Sequence, residues 1–315
     1  MLSYGDLLKL IVPVFAMVAV GVVLRRVHWI EGAAEGSLIR LVIYLCFPCL
    51  IFESVVRNDT LHSAGNLLLP PLAGCGLTIA GIALAWQLGR LLGFEKGTGL
   101  RTFALSAGLG NYSYVALPIL VGMFGESSRG VLFVHNIGVE ATVWTVGVLV
   151  LSGLSLREGW RRLLSPMVIT LFAAVALNLT GAGMYIPEAV HKMVNSLAGC
   201  AIPIGLILTG VNMANYLNEP RELLQPRVLL GAAAIRFLVV PLLFILVARW
   251  LPCSVELKRV IVVQGAMPAA VIPILLAQLY GGRPVMAVQI VLGTTALGVL
   301  LTPLWLRAGL AWAGL

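Results

Sequence analysis

Charge is what this chain has least of. Only 11% of its 315 residues are Asp, Glu, Lys or Arg, against about 25% in a soluble domain. Acidic residues are the scarcer kind, 13 against 21 Lys and Arg, and there are four histidines. With 60% hydrophobic residues and a mean hydropathy of +1.00, a water-soluble fold is excluded and a polytopic membrane protein is indicated. Short alternating segments of the kind that build a membrane β-barrel are absent as well. The five cysteines, Cys46, Cys49, Cys75, Cys200 and Cys253, are odd in number and lie mostly in apolar runs, so no disulfide framework is implied. The "CFPC" run (46 to 49) has redox-motif spacing, but Pro48 sits inside it in an apolar run. Its cysteines therefore read as small apolar residues at a kink. Catalytic patterns are missing too: no H-E-x-x-H, no G-x-S-x-G and no paired acids occur in the apolar runs. "GLG" (108 to 110) lacks the third glycine of a dinucleotide fingerprint. An enzyme is not expected, nor a metal site, a cofactor or a nucleic-acid partner.

What is present is a succession of apolar runs, most of them near the ~20 residues that cross a bilayer as a helix. Ten spans can be placed, at about 6–25, 35–56, 66–92, 101–124, 130–153, 166–181, 188–213, 227–250, 257–280 and 285–308. The first is too long for a signal sequence and lacks a clear cleavage site, so it is read as a retained span. Connections are short, and the longest polar one is "SLREGWRRLLSP" (155 to 166) at mid-chain. The connectors between odd and following even spans hold 11 Lys and Arg residues, and the opposite side holds eight. That modest bias favours a cytoplasmic middle connector and both termini outside.

Shifting the chain by 155 residues places Pro48 on Pro203, Pro71 on Pro226 and Pro118 on Pro273, with Gly110 on Gly265 and Gly138 on Gly293. "PILVGMFG" (118 to 125) meets "PILLAQLYG" (273 to 281) with one extra residue. Residues 1–154 and 166–315 therefore read as two copies of a five-span unit, joined by a cytoplasmic connector at 155–165. Five is odd, so the second copy enters from the opposite face. Inverted repeats of this kind recur in secondary transporters, whose sites lie where broken helices of the two halves meet near the midplane.

The matching interrupted spans are the fourth, with "GLGNYSYVALP" (108 to 118), and the ninth, with "GAMPAAVIP" (265 to 273). Gly110 and Pro268 permit a break, and Asn111 offers a carbonyl and two N–H donors. Two half-helix N-termini facing the gap suit an anion such as a carboxylate. Substrate-binding candidates are Gly110, Asn111, Tyr112, Gln264, Pro268, Ala269 and Ala270, with Gln264 preferred over Gln278 because it lies four residues before Pro268. Ionisable or polar groups at membrane depth are functional candidates by default. Glu53, near the end of span 2, is either solvated at a frayed end or a coupling group. In span 5, Asn136 and Glu140 share a helix face, and His135 faces elsewhere. Glu140 could carry a proton, help bind a cation, or be a neutral acid with a local partner. Arg236 in span 8 could pair with Glu140 or Glu53, or bind substrate.

At this point the residues resemble a family. "LGNYSYVALPILVGMFG" (109 to 125) and "RVIVVQGAMPAAVIPILLAQLYG" (259 to 281) look like the crossing segments of the auxin efflux carrier family, with Asn111, Pro118, Gln264, Pro268, Pro273, Ala277 and Tyr280 in place. "RLVIYLCFP" (40 to 48), "RFLVVP" (236 to 241) and Trp144 resemble it too. The family includes plant PIN proteins and bacterial permeases for malate and malonate. The resemblance implies an all-α fold of ten helices in a 5+5 inverted repeat, related to bile acid–sodium symporters, with helices 4 and 9 crossing at the substrate. It implies a scaffold of spans 1, 2, 6 and 7 that dimerises, and a transport domain of spans 3–5 and 8–10 that moves against it. The expected activity is secondary transport of small carboxylates by alternating access, with coupling to protons or sodium open. A sodium/proton antiporter or sodium-coupled symporter of related fold is the alternative. Relative to plant members, Gly110 stands where they have Pro, Ala269 where they have Gln, and Glu140 near where they have Gln; their long loop is absent. A compact member of a bacterial inner membrane is the better match.

Overall fold

The computed structural model describes residues 3–95, 97–152, 166–216 and 225–315. The expected connector at 155–165 lies outside the described residues, as do Lys96 and Arg221. In chain order the helices are α1 (Tyr4–Arg26), α2 (Ala34–Val55), α3 (Ala64–Leu91), α4 (Thr98–Gly108), α5 (Ala116–Phe124) and α6 (Ser127–Leu151). They continue with α7 (Pro166–Leu179), α8 (Glu188–Ala214), α9 (Pro226–Trp250), α10 (Val255–Gly265), α11 (Ile272–Leu279) and α12 (Pro284–Ala313). Seven of these, α1, α2, α3, α6, α8, α9 and α12, are long and apolar enough to cross a membrane, and α7 is a shorter apolar helix. The paired short helices α4/α5 and α10/α11 are what the fourth and ninth apolar runs become: each run is helical at both ends and unwound in the middle. The last helix extends five residues beyond the expected end at 308, to Ala313, with Pro303 inside it.

Burial runs the reverse of a soluble protein on the outer faces. Leu68, Leu72, Phe172, Leu230 and Leu238 are all more than half exposed, as expected of side chains solvated by lipid. Inside, α10 is apolar and buried through Val260, Ile261, Val262 and Val263. Its central position places the second break in the middle of the bundle.

Between apolar helices in lipid, packing rather than the hydrophobic effect drives association, so small residues let backbones touch. Two crossings are built this way. On α1 and α8, a Cβ added at Gly21 would lie 2.0 Å from the Ile207 carbonyl oxygen, and one at Gly210 would lie 1.9 Å from that of Val18. On α3 and α6, a Cβ at Gly138 would lie 1.8 Å from the Pro71 oxygen, and one at Gly74 would lie 2.3 Å from that of His135.

Proline shapes two of the long helices. α2 widens into a π turn at Val42–Cys46 just before Pro48, and α9 does so at Ile235–Val239 just before Pro241. A proline lacks the N–H and its ring crowds the carbonyl four residues earlier, which an added residue in the turn relieves. The carbonyl that Pro241 cannot serve, that of Phe237, accepts instead from Trp305 Nε1 at 2.8 Å. α6 carries a third π turn at Val143–Gly147.

These close crossings give a direct test. Gly138→Ala should cost about 1–3 kcal/mol by overpacking and lower the melting temperature of the purified protein. Gly76→Ala on α3 meets nothing within 4 Å and should not. Equal melting temperatures for the two variants would show that α3 and α6 do not touch as described.

Candidate functional site

An unwound stretch inside a membrane protein must find partners for every backbone polar group it frees. Here the two breaks partner each other. Residues 109–115 and 266–271 run antiparallel and form a single β-bridge between Gly110 and Ala269. The Asn111 N–H donates to the Pro268 carbonyl at 2.8 Å, and the Ala270 N–H donates to the Leu109 carbonyl at 3.0 Å. Side chains take most of the remainder. Thr294 Oγ1 accepts from the Ala269 N–H at 3.1 Å, and Thr302 Oγ1 donates to the Ala266 carbonyl at 3.0 Å. The Tyr112 carbonyl accepts from both Asn136 Nδ2 and Gln264 Nε2 at 3.0 Å.

Arg236 occupies the place where α4 and α10 end. It is 1% exposed. Its Nε and Nη2 donate to the Met267 carbonyl at 3.1 and 2.6 Å, and Nη1 donates to the Gly108 carbonyl at 3.4 Å. Two helix C-termini converge there, each carrying about half a negative charge, and one guanidinium answers both. The pairing with Glu140 or Glu53 entertained from the sequence is not formed, because both acids have other partners. Glu53 pairs with His191 Nδ1 at 3.2 Å between α2 and α8, within ordered helix rather than at a frayed end. Glu140 accepts from the Tyr112 hydroxyl at 2.6 Å and from Trp144 Nε1 at 2.9 Å. Arg236 also packs closely on Gly110: a Cβ there would sit 2.5 Å from Nη2, so a larger residue would push the guanidinium from its place.

On the other side of the crossing lies a cavity of about 250 Å³. Its walls come from the breaks (Asn111 to Tyr114 and Ala270 to Ile272), from α2 (Ile39, Val42, Ile43, Phe47), from α8 (Gly205, Leu208, Thr209, Asn212), and from Glu140, Met167, Leu275 and Gln278. Of the seven substrate-binding candidates, Asn111, Tyr112 and Ala270 line it. Gly110, Gln264, Pro268 and Ala269 belong instead to the bridge and its struts. Gln264 Nε2 also donates to Asn136 Oδ1 at 3.1 Å, which locks α10 to α6, while Gln278 reaches the cavity and donates to the Tyr216 hydroxyl. Asn136 and Glu140 do share a face, and both grip Tyr112, one at its carbonyl and one at its hydroxyl. His135 is turned away into the packed region behind the crossing, beside Arg236.

Asn111 Oδ1 accepts from the Val115 N–H at 3.2 Å, one residue before α5 begins. Tyr114 fills the space between the break and the α2–α8 pair. Its ring meets Phe47 edge-on at 5.2 Å, and a Cβ at Gly205 would lie 2.0 Å from its Cε1. The polar residues on α8, Thr209 and Asn212, and Tyr114 itself were not singled out from the sequence. Polar groups three apart in an otherwise apolar run were the available signal for the first two.

Arg236→Met leaves the carbonyls of Gly108 and Met267 without their donor. Each buried unsatisfied group costs about 1–3 kcal/mol, so this variant should melt well below wild type. Arg236→Lys keeps the charge with fewer directed donors and should fall in between. If methionine and lysine are tolerated equally, the guanidinium does not hold the crossing.

Comparison with known proteins gives the family. The chain matches the family described as membrane transport protein over residues 6–158 and again over 153–306. It is 25% identical over 275 residues to an uncharacterised transporter of Methanocaldococcus jannaschii, covering 84% of this chain and 86% of that one. An uncharacterised transporter of Methanothermobacter thermautotrophicus is 26% identical over 278 residues, with 85% and 86% covered. A Rhizobium meliloti protein provisionally named a malonate transporter is 23% identical over 222 residues, with 67% and 68% covered. With these matches and its long apolar helices, the chain is an integral membrane protein, and it belongs to the membrane transport protein family, the auxin-efflux-carrier-like family its crossing segments resemble.

Proposed function

We propose that the protein is a secondary active transporter of small organic anions, chiefly carboxylates, that works by alternating access. The observation that carries this reading is the position of the cavity: it lies between the paired breaks on one side and α2 with α8 on the other. A bound solute would touch both groups of helices, so relative movement of the groups would carry it. Counting α4/α5 and α10/α11 as one interrupted span each, with α7, gives ten spans in a 5+5 inverted repeat. In that frame α1, α2, α7 and α8 form the scaffold, through which two copies dimerise, and the remaining helices form the transport domain. Tyr114, wedged against Phe47 and Gly205, lines the cavity, as do Asn212 and Gln278.

The residues suit a carboxylate. Asn111 and the first residues of α11 face the cavity, and a helix N-terminus favours negative charge. The malonate name of the Rhizobium relative supports a small carboxylate substrate, with malonate, malate or an auxin-like acid as the first to try. Glu140, the cavity's carboxylate, favours a second reading in which transport is coupled to protons or sodium, as in symporters or antiporters of related fold. We place it in a bacterial inner membrane with both termini outside, the orientation favoured by the 11 to 8 excess of Lys and Arg on the opposite connectors. Nothing in the proposed mechanism calls for a cofactor or for catalysis.

Purified protein in proteoliposomes should exchange labelled malonate for unlabelled malonate, saturably. Asn111→Ala should weaken that exchange about tenfold, the value of one lost buried hydrogen bond of ~1.4 kcal/mol. Unchanged exchange in this variant would remove Asn111 from the site. Repeating the assay with sodium omitted, and across pH, separates the coupled readings from the uncoupled one.

A further inference from the structure

The cavity contains an acid and nothing to balance it. Among the described residues no Lys, Arg or His lines it, and Glu140 is its one ionisable carboxylate. Arg236 lies behind the bridge with its donors on the Gly108 and Met267 carbonyls. Both oxygens of Glu140 act as acceptors, Oε1 toward the Tyr112 hydroxyl and Oε2 toward Trp144 Nε1. A carboxylate has about four lone-pair positions. Glu140 is therefore a positioned acceptor on the cavity wall with acceptor capacity still to be used. A substrate that is only negative would bring like charge beside it, with no Lys, Arg or His among the described residues that line the cavity.

We propose that the preferred substrate is amphoteric: a small amino acid whose ammonium group binds Glu140 and whose carboxylate faces Asn111 and the start of α11. This rests on the organic-acid transport reading above and changes its preferred substrate from a dicarboxylate to an acid that also carries an amine. An ammonium supplies donors to the acceptor positions of Glu140 that Tyr112 and Trp144 leave open, and a charge opposite to that of the carboxylate. Tyr112 couples the two ends, since its hydroxyl holds Glu140 while its neighbour Asn111 faces the carboxylate end. The rest of the wall is apolar, formed by residues such as Val42, Phe47, Leu208 and Leu275. That wall fits an aliphatic or aromatic side chain rather than a second carboxylate.

The test uses three compounds that share one carbon skeleton: leucine, 4-methylpentanoate, which lacks the amine, and 3-methylbutylamine, which lacks the carboxylate. Malonate is the reference anion. Full-length protein is assayed by thermal stabilisation and by exchange in proteoliposomes. Leucine should bind about tenfold more tightly than either analogue, the effect of losing one charged hydrogen-bonded contact worth ~1.4 kcal/mol. In Glu140→Gln, leucine should lose that advantage over 4-methylpentanoate, while Asn111→Ala should weaken both acids. If wild-type protein prefers 4-methylpentanoate or malonate to leucine, the inference is overturned, and this comparison stands even if the Gln variant does not fold. Malonate exchange without leucine binding would overturn this inference alone. Failure of all four compounds would count against organic-acid transport as well.

Discussion

The rest of the structure depends on one backbone pairing. Two helices are interrupted in the middle of the bundle, and each interruption supplies hydrogen-bond partners the other needs. The Asn111–Pro268 and Ala270–Leu109 bonds join residues more than 150 positions apart, so neither break is stable without the other. Everything nearby follows from that constraint. Arg236 packs closely on Gly110, Thr294 and Thr302 come from α12 to serve Ala269 and Ala266, and Gln264 and Asn136 hold Tyr112 from behind.

Electrostatics divides the crossing into two faces. Behind it, the C-termini of α4 and α10 converge on Arg236, and their negative ends are answered within the fold. In front, α5 and α11 begin, and their positive ends are turned to the region of the cavity. A single buried cation therefore leaves the front of the crossing favourable to a carboxylate without placing a fixed positive charge in the cavity itself. Glu140, held by Tyr112 and Trp144, is the exception on that front face and the feature most able to set which acid is taken.

Much of this was legible in the sequence, for physical reasons. Apolar runs of bilayer length mark the long helices because lipid tolerates little else, and their ends were placed within a few residues except at α12, which runs on past Pro303 and Arg307 to Ala313. The breaks were legible because Gly110 and Pro268 weaken helices and the two interrupted runs recur at one offset, with Gly110 on Gly265 and Pro118 on Pro273. The wiring was not. A guanidinium bonded to carbonyls leaves no mark on the carbonyl residues, so Arg236 was matched to Glu140, Glu53 or a substrate instead of to Gly108 and Met267. Gln264 and Gln278 look alike in sequence, and only the direction in which α10 and α11 leave the break sends one to a strut and the other to the cavity. The Glu53–His191 pair joins two spans whose apposition no local pattern reveals.

The mutual support of the two breaks is the central claim, and amide hydrogen exchange on the purified protein tests it most directly. Helix interruptions that were simply loose would exchange at both sites quickly and independently. Paired as described, the amides of Asn111 and Ala270 are predicted to be strongly protected and to open together as one unit, with Arg236→Met raising both rates in parallel. Fast exchange at either amide in the wild-type protein, or a change at one without the other in the variant, would contradict the account.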